Sequence, residues 1–145
     1  MQTFLPYPSF ALTAKVLDNK RLGKQRVETL QILNALTNPN YGWQNHPAVK
    51  MWRGHKFTLI TYGLAICDEW IERGFKDTCR NKINEFWRDA TAEDSTEHAI
   101  PRFIGNNNFH LSHQSNLIRK SPEHYREYFG NEVPDNLPYL WILSR

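Results

Sequence analysis

The sequence predicts a mainly α-helical fold, and three of its features support that prediction. Apolar residues recur at three- and four-residue steps from Phe57 to Ile71, the spacing of one helix face. Residues that begin or end helices, such as Ser9, Pro47 and Gly74, stand at the edges of the apolar stretches. No segment alternates apolar and polar residues as a half-buried strand does. We therefore expect a single compact domain over residues 1–145, built from several helices and long irregular connections.

The first two helices are predicted from their capping residues. Ser9 is expected to cap a short helix, and Asp18 a longer one that extends to about Leu36. The first helix should turn Phe10, Ala14 and Leu17 inward. The apolar stripe expected on the second helix comprises Val27, Leu30, Leu33 and Leu36.

The middle of the chain divides into a loop and three helices. Residues 37–46 are rich in Asn, Pro and Gly and predict a loop. Pro47 suits the first turn of a short helix through Trp52. The next helix carries the stripe of Phe57, Ile60, Leu64, Cys67 and Ile71 and ends at Gly74. A further helix is expected from about Asp77 to Trp87, with Ile83 and Phe86 buried.

The last third of the chain is expected to be partly irregular. Residues 90–108 predict a long connection without the low complexity of a linker. A helix over residues 112–120 should follow, and Ser121 with Pro122 should begin one more. The tail from Pro134 to Arg145, rich in proline and aromatic residues, is expected to pack across the surface.

Composition limits the possible partners. The net charge is only +3, so a basic surface for nucleic acid must be local. Cys67 and Cys79 lack the spacing of zinc ligands, and we interpret them as reduced thiols of a cytosolic protein. No apolar run approaches the ~18 residues of a membrane span. We expect a soluble, cytoplasmic monomer that has no membrane partner, metal or cofactor.

Positive charge is concentrated at the start of the second predicted helix. Lys20, Arg21, Lys24 and Arg26 fall within its first turns, and Glu28 follows them. A helix N-terminus already attracts anions, so this cluster favours a phosphate chain as its partner. The alternative is a solvated face on which Lys24 and Glu28 form a weak ion pair.

A second region, residues 109–130, mixes cationic and aromatic side chains. This pattern suits contact with DNA, since cations hold phosphates while rings stack on bases. The alternative is a pair of short helices with buried Tyr and Phe. His110 and His113 form an HxxH pair, but no neighbouring carboxylate or cysteine completes a metal site.

Several single residues have two interpretations. His46 could reach a phosphate or a sugar oxygen, or it could cap the helix that follows it. Trp43 and Trp52 could stack on an extruded base or pack in the core. The run of asparagines at residues 106–108 could touch a groove edge or form a turn.

Three patches together resemble the pyrimidine-dimer DNA glycosylase (phage endonuclease V-like) family. The first extends from Leu22 to Glu28 and is similar to the family's helix with an Arg-Glu pair. The second is Asn45-His46-Pro47-Ala48-Val49 and the long helix before Gly74-Phe75. The third is similar to the family's C-terminal segment and comprises Ser112-His113-Gln114, Leu117, Lys120, Pro122, Tyr125 and Tyr128-Phe129-Gly130.

The resemblance implies a compact all-α enzyme that binds DNA and needs no metal. In this family the N-terminal α-amine attacks the sugar of a damaged pyrimidine and forms a Schiff base, a glutamate supports the chemistry, and β-elimination cuts the strand. An α-amine is suited to this role because its pKa of about 8 leaves part of it neutral near pH 7. A carboxylate can stabilise the oxocarbenium-like sugar.

The chain departs from the family pattern at two positions. Gln2 follows Met1, and a side chain of this size normally blocks removal of the methionine. The nucleophile is then the Met1 amine, or the chain is processed to Thr3, or this chemistry is absent. The family's Arg is followed directly by Glu, whereas here Val27 separates Arg26 from Glu28. One residue turns a side chain by about 100° on a helix, so the substrate could differ from a dimer.

The resemblance and the charge pattern lead to three hypotheses. The first is a DNA glycosylase, with abasic-site lyase activity, that acts on damaged or modified pyrimidines. The second is a catalytically silent DNA-binding module of the same fold, and the third is a protein-interaction domain with a basic helix. Under the first hypothesis Met1, Glu28 and Arg26 are catalytic. The residues expected to contact DNA are Lys20, Arg21, Lys24, His46, His113, Arg119, Lys120, Tyr125, Arg126 and Tyr128.

Overall fold

The protein is a bundle of helices, as predicted. The computed structural model describes residues 1–88 and 100–144. These residues form no strand, and the mainly α, single-domain prediction is confirmed. The described helices are α1 (Phe10–Val16), α2 (Asn19–Thr37), α3 (Pro47–Trp52), α4 (Lys56–Glu72), α5 (Cys79–Arg88), α6 (Asn107–Lys120) and α7 (Pro122–Phe129).

Three predicted helix ends are confirmed by a hydrogen bond, a position or a backbone angle. The Ser9 hydroxyl accepts the Leu12 N–H at 3.1 Å, which satisfies a free donor at the start of α1. Pro47 occupies the first turn of α3. Gly74 follows α4 with a φ of +94°, a conformation that glycine adopts without steric cost.

Other predicted ends differ from the structure. Asp18 precedes α2, but its carboxylate binds Arg21 and the Tyr125 hydroxyl and caps no backbone N–H. The Ser121 hydroxyl likewise binds the Glu123 carboxylate at 2.9 Å instead of capping α7. In both cases a nearby side chain competes for the oxygen that the sequence assigns to the cap.

α5 and α6 also begin at other residues than predicted. The Asp77 carboxylate accepts the N–H groups of Cys79 and Arg80 from just outside α5, which therefore begins at Cys79. α6 begins at Asn107, because the Asn106 side chain accepts the Phe109 N–H at 3.0 Å. The irregular connection predicted for residues 90–108 therefore ends at residue 106, just before α6 begins. Its first part, residues 90–99, lies outside the described residues.

The apolar stripe predicted on α2 is confirmed for Leu30, Leu33 and Leu36, which pack in or against the core, and is wrong for Val27. Val27 is 47% exposed, and the residues buried along α2 include the polar Gln25 and Thr29. Both are satisfied inside the fold: the Thr29 hydroxyl donates to the Gln25 carbonyl at 2.7 Å, for example. Hydrophobicity therefore locates most of the inner face of α2 but misses its two polar positions.

The N-terminal segment enters the core and is held there by α6. Residues 2–6 are buried. The Leu5 N–H donates to His113 Nδ1 at 3.0 Å, and the Leu5 carbonyl lies 2.8 Å from His110 Nδ1. The Gln114 side chain donates to the Pro6 carbonyl at 2.9 Å. These contacts fix the beginning of the chain against the remainder of the fold.

The C-terminal tail packs across the surface, as predicted. The N–H groups of Leu137 and Leu140 donate to Ser115 and Ser112 of α6 at 3.0 and 3.2 Å. The Ser144 N–H reaches the carbonyl of Lys50 at 3.2 Å. None of the helices in residues 1–88 and 100–144 has the length and apolar composition to cross a membrane.

Candidate active site and DNA-binding surface

A cavity of about 390 Å³ lies where the beginning of the chain meets α2, the end of α6 and the tail. It unites residues that are far apart in the sequence, including both Met1 and Lys120. Its lining residues are Met1, Gln2, Phe4, Lys20, Arg21, Lys24, Gln25, Glu28, Lys120 and Tyr139. We call this space the amine cavity, after the N-terminal amino group of Met1.

The Glu28 carboxylate is held in the amine cavity by the buried side chain of Gln25. Glu28 Oε2 accepts Gln25 Nε2 at 2.8 Å and the Gln2 N–H at 3.3 Å. Gln25 Nε2 also donates to the Gln2 carbonyl at 3.0 Å. Gln25 Oε1 accepts the Phe4 N–H at 2.9 Å and the Tyr62 hydroxyl at 2.7 Å. Because both ends of the Gln25 amide are bonded, Glu28 has a fixed orientation next to the beginning of the chain.

The Met1 amino group acts electrostatically on His46. Burial lowers the pKa of His46, and the positive charge of the N-terminus lowers it further, while the Glu28 carboxylate opposes the shift. The amino group and the carboxylate thus both lie close enough to the imidazole to influence its pKa. His46 also caps α3, since its Nδ1 accepts the Ala48 N–H at 3.0 Å. Both interpretations of His46 therefore remain compatible with its position.

Four cations converge on the amine cavity. Lys20, Arg21 and Lys24 come from the first turns of α2, and Lys120 comes from the last turn of α6. The pKa of Lys120 is lowered by burial first, and then by the charges of Arg21, Arg119 and Lys24. Mutual repulsion of this kind is relieved when an anion binds, so the arrangement suits a phosphate backbone.

Arg26 does not line the amine cavity, and its predicted catalytic role does not fit the structure. Arg26 Nη1 lies 2.5 Å from the Asp77 carboxylate, which is almost fully buried. The guanidinium also stacks over the Trp70 ring, 4.3 Å from its centroid. Arg26 therefore joins α2 to the beginning of α5 instead of facing Glu28.

His113 and Tyr125 are buried, so the prediction that they contact DNA is also wrong. Both side chains are 0% exposed. Burial lowers the pKa of His113 to about 3, with a smaller effect from His110, and the ring accepts the Leu5 N–H. The Tyr125 hydroxyl binds the carboxylate and the N–H of Asp18, and burial raises its pKa. Both residues hold elements of the fold together.

The remaining predicted residues of the C-terminal region lie outside the amine cavity. Arg119 donates to the carbonyls of Asp135 and Leu137, at 2.7 and 3.4 Å. Arg126 donates to the carbonyls of Val133 and Gly130, at 2.5 and 3.1 Å. Both guanidinium groups thus hold the chain that follows α7. Tyr128 is 48% exposed and lies beside His124, with ring centroids 5.5 Å apart.

Four residues that line the amine cavity are absent from the predicted site: Gln2, Phe4, Gln25 and Tyr139. Gln25 stands three residues before Glu28, but hydrophobicity does not indicate that a polar residue of α2 is buried. Gln2 was considered only for its effect on Met1 removal, yet it contacts both Gln25 and Glu28. Tyr139 belongs to the tail, and no local signal indicated that it reaches the cavity.

The described residues offer no evident metal centre. Within residues 1–88 and 100–144, no three His, Cys, Asp or Glu side chains gather as metal ligands. Cys67 and Cys79 are both buried free thiols.

The fold and the amine cavity define a small helical protein with a carboxylate beside the chain start and cations around it. Comparison with protein families gives a match: the model of the pyrimidine dimer DNA glycosylase family matches residues 1–83. This segment is more than half of the 145 residues, and the chain belongs to that family. No curated protein and no solved structure matches the chain. The protein is therefore a glycosylase of the DNA-repair type, and DNA is its substrate.

The matched segment includes the parts of the site nearest the chain start. Met1, Gln25, Glu28 and His46 fall within residues 1–83. Lys120 and Tyr139 complete the amine cavity from outside that segment. The family match thus covers the part of the chain that contains Met1 and Glu28.

Proposed function

We propose that this protein releases damaged or modified pyrimidines from DNA and then cuts the abasic site, with the Met1 amine as nucleophile and Glu28 as the catalytic carboxylate. One observation carries the proposal: Met1 and Glu28 line the same cavity, among four cations. Glu28 is the only carboxylate among the described residues of that lining. An amine, a carboxylate and a surface for phosphates are the groups that the reaction requires.

The proposed chemistry needs no group beyond these. The α-amine attacks C1′ of the damaged nucleotide while the glycosidic bond breaks, and the base leaves with the bonding electrons and takes up a proton. The amine gives up two protons in all, one for the departing base and one for O4′ as the sugar ring opens, and a C1′=N Schiff base remains. Loss of a C2′ proton then expels the 3′ phosphate. Glu28 would stabilise the positive charge that develops on the sugar and carry the protons.

The contacts of Gln2 favour the Met1 amine over a chain processed to Thr3. The Gln2 N–H and carbonyl are bonded to Glu28 and Gln25, so loss of this residue would remove two contacts of the site. Thr3 is itself fully buried, and its hydroxyl accepts the Trp52 indole N–H at 2.9 Å. A chain beginning at Thr3 would therefore carry its amine on a residue committed to the core.

Glu28 also compensates for the departure from the family's Arg-Glu pair. Val27 stands where the family has its glutamate, and its side chain is 47% exposed. The Glu28 carboxylate, by contrast, receives the Gln2 N–H at the chain start. We infer that Glu28 takes the family glutamate's role, with Gln25 as its positioning residue.

A catalytically silent DNA-binding module is the second candidate function. The four cations of the amine cavity would hold a phosphate chain whether or not chemistry follows. This candidate predicts binding that weakens steeply with salt, without any released base.

Base release from duplexes that carry one defined lesion tests the proposal. Candidate substrates are a thymine dimer and single oxidised or modified pyrimidines, each compared with an undamaged duplex. A variant with one residue added before Met1 should bind DNA normally but lose both base release and strand cleavage. The same residue added after Arg145 serves as the control and should leave both activities intact. Equal activity of the two extended chains would exclude the terminal amine as nucleophile.

A further inference from the structure

A row of aromatic rings extends from the amine cavity to the surface. Tyr139 lines the cavity, and its ring centroid lies 5.9 Å from that of Trp141. Trp141 lies 6.2 Å from His46, and His46 lies 5.9 Å from Trp43. We call Tyr139, Trp141, His46 and Trp43 the aromatic row.

Trp43, at the outer end of the aromatic row, is costly for the fold. Its side chain is 58% exposed, so most of the indole stays in water. Its φ is +70°, and among residues 1–88 and 100–144 it is the one non-glycine residue with a positive φ. A bulky side chain in this left-handed region is strained, and such strain is concentrated at functional sites.

The loop around Trp43 is rigid enough to hold that conformation. The Gln44 side chain donates to the carbonyls of Ala35, Asn38 and Tyr41, at 2.8, 2.9 and 3.1 Å. Arg53 donates in turn to the Gln44 carbonyl at 3.0 Å. Side-chain hydrogen bonds therefore tie the loop that carries the indole to the end of α2 and to Arg53. Its contact with His46 is edge-on, at 75° between the rings, and covers at most one indole face.

We propose that the aromatic row is a base-stacking surface for the nucleotides next to the damaged one, with Trp43 stacked on the outermost base. The proposal rests on the proposed function, because it needs the damaged nucleotide in the amine cavity. Extrusion of a nucleotide unstacks its neighbours, and aromatic side chains can replace the lost stacking. The inner end of the row adjoins Lys20, Lys24 and Lys120, which would hold the phosphates of the same strand.

DNA fits this row better than a protein partner does. The rings follow one another from a cavity lined by four cations, and such interleaving of rings and positive charge matches a nucleic-acid strand. The stacked faces carry no base-specific hydrogen-bond donor, so the surface should accept any base. Trp43 would therefore contribute affinity at lesions without sequence preference.

The test uses Trp43→Ala, Trp43→Phe and the matched control Trp87→Ala. Trp87 is exposed to a similar degree, 51%, but its ring packs on Phe57 of α4, 4.9 Å away, and does not line the amine cavity. The probe is a duplex with a tetrahydrofuran abasic-site analogue and a 2-aminopurine beside it. This analogue cannot form a Schiff base, so binding is measured without chemistry. Melting curves of all variants check that the fold is retained.

We expect Trp43→Ala to weaken binding of this duplex about tenfold, with an unchanged dependence on salt, because no phosphate contact is lost. Trp43→Phe should recover part of the affinity, and Trp87→Ala should bind like the wild type. The 2-aminopurine should be quenched by the wild-type protein and brighter with Trp43→Ala. Equal affinity and equal fluorescence of Trp43→Ala and wild type would overturn the proposal.

The two proposals can fail separately. If the wild type releases no base but still quenches 2-aminopurine through Trp43, the stacking surface stands and the catalytic proposal falls. If the wild type is active and Trp43→Ala binds and quenches equally well, the stacking surface falls and the catalytic proposal stands.

Discussion

Arg21 and Arg26 both lie on α2, yet the fold places them in different surroundings. Arg21 pairs with Asp18 at 3.1 Å and lines the amine cavity beside Lys24. Arg26 pairs with the nearly buried Asp77 at 2.5 Å and stacks over Trp70. Each arginine has a carboxylate partner, but the Asp18 side chain is 20% exposed and the Asp77 side chain only 1%. We therefore expect Arg21, and not Arg26, to be shared with a phosphate. A cluster of positive charge in sequence therefore does not define a binding surface until each partner is known.

The largest effect is expected for Arg26→Ala, and it concerns stability. The change leaves the Asp77 carboxylate without its cation, at a cost of about 3 kcal/mol in the free energy of unfolding. The cost should lie at the low end of the range for buried pairs, because Asp77 retains the N–H groups of Cys79 and Arg80. Denaturant unfolding measures it.

The matched variant for this prediction is Arg21→Ala. It should change the unfolding free energy by about 1 kcal/mol, less than Arg26→Ala does, since the Asp18 carboxylate is partly exposed and keeps its contact with the Tyr125 hydroxyl. It should weaken DNA binding, which Arg26→Ala should not. A reversed result, with Arg26→Ala reducing the salt dependence of binding, would contradict the division between the two arginines.

The second effect concerns catalysis. Glu28→Gln should leave DNA affinity nearly unchanged and slow base release by more than about tenfold, because the amide cannot carry a proton. Single-turnover release from a lesion duplex measures the rate. Glu72→Gln on α4, which lines no part of the amine cavity, is the control and should keep wild-type rates. Equal rates for Glu28→Gln and wild type would remove Glu28 from the proposed mechanism.

The third effect extends the comparison to His113, another basic residue used inside the fold. Its pKa is lowered to about 3 by burial, whereas an unfolded histidine titrates near 6.5. Below about pH 6.5 the unfolded chain therefore binds a proton that the folded chain refuses. Below that pH, His113 should lower the free energy of unfolding by up to about 1.4 kcal/mol for each pH unit. Above it, the ring is neutral in both states and this loss of stability disappears.

NMR of the histidine ring gives a direct measurement of this prediction. The His113 signals should remain those of a neutral ring down to about pH 4. A titration near pH 6.5 in the folded protein would contradict its position in the core.

The smallest effect is expected for Lys24→Ala. Loss of one phosphate contact should lower the slope of log K against log salt by about 0.9 and weaken binding equally for all sequences. Lys82→Ala on α5 is the control, since Lys82 is exposed but does not line the amine cavity. Titrations at several salt concentrations measure both slopes. A slope for Lys24→Ala equal to that of Lys82→Ala would exclude a phosphate contact at Lys24.

The parts of the fold that depend on local sequence could be predicted. Ser9, Pro47 and Gly74 mark helix ends because they act on backbone groups a few residues away. The inner face of α2 could be inferred from hydrophobicity only in part, because Leu33 is buried as expected but Gln25 is also buried and Val27 is exposed. A polar residue can belong to the core when its partners come from distant segments, and the sequence does not display them.

The candidate site could be predicted only in part, for the same reason. Lys20 and Lys24 are four residues apart on one helix, so the sequence already places them together. The sequence wrongly places Arg26 and Tyr125 in the site. Their partners, Asp77 and Asp18, lie 51 and 107 residues away along the chain, so the sequence does not show that these side chains are already bound inside the fold. Lys120 reaches the same cavity only because α6 returns to the chain start.

The most direct test of the account is borohydride trapping on a duplex with an abasic site, followed by mass spectrometry of the adduct. Reduction of a Schiff base joins the DNA covalently to the amine that formed it. We predict an adduct on Met1. Lys20, Lys24 and Lys120 line the same cavity and should carry none. An adduct on one of these lysines, or no adduct from a protein that binds the duplex, would contradict the N-terminal amine mechanism.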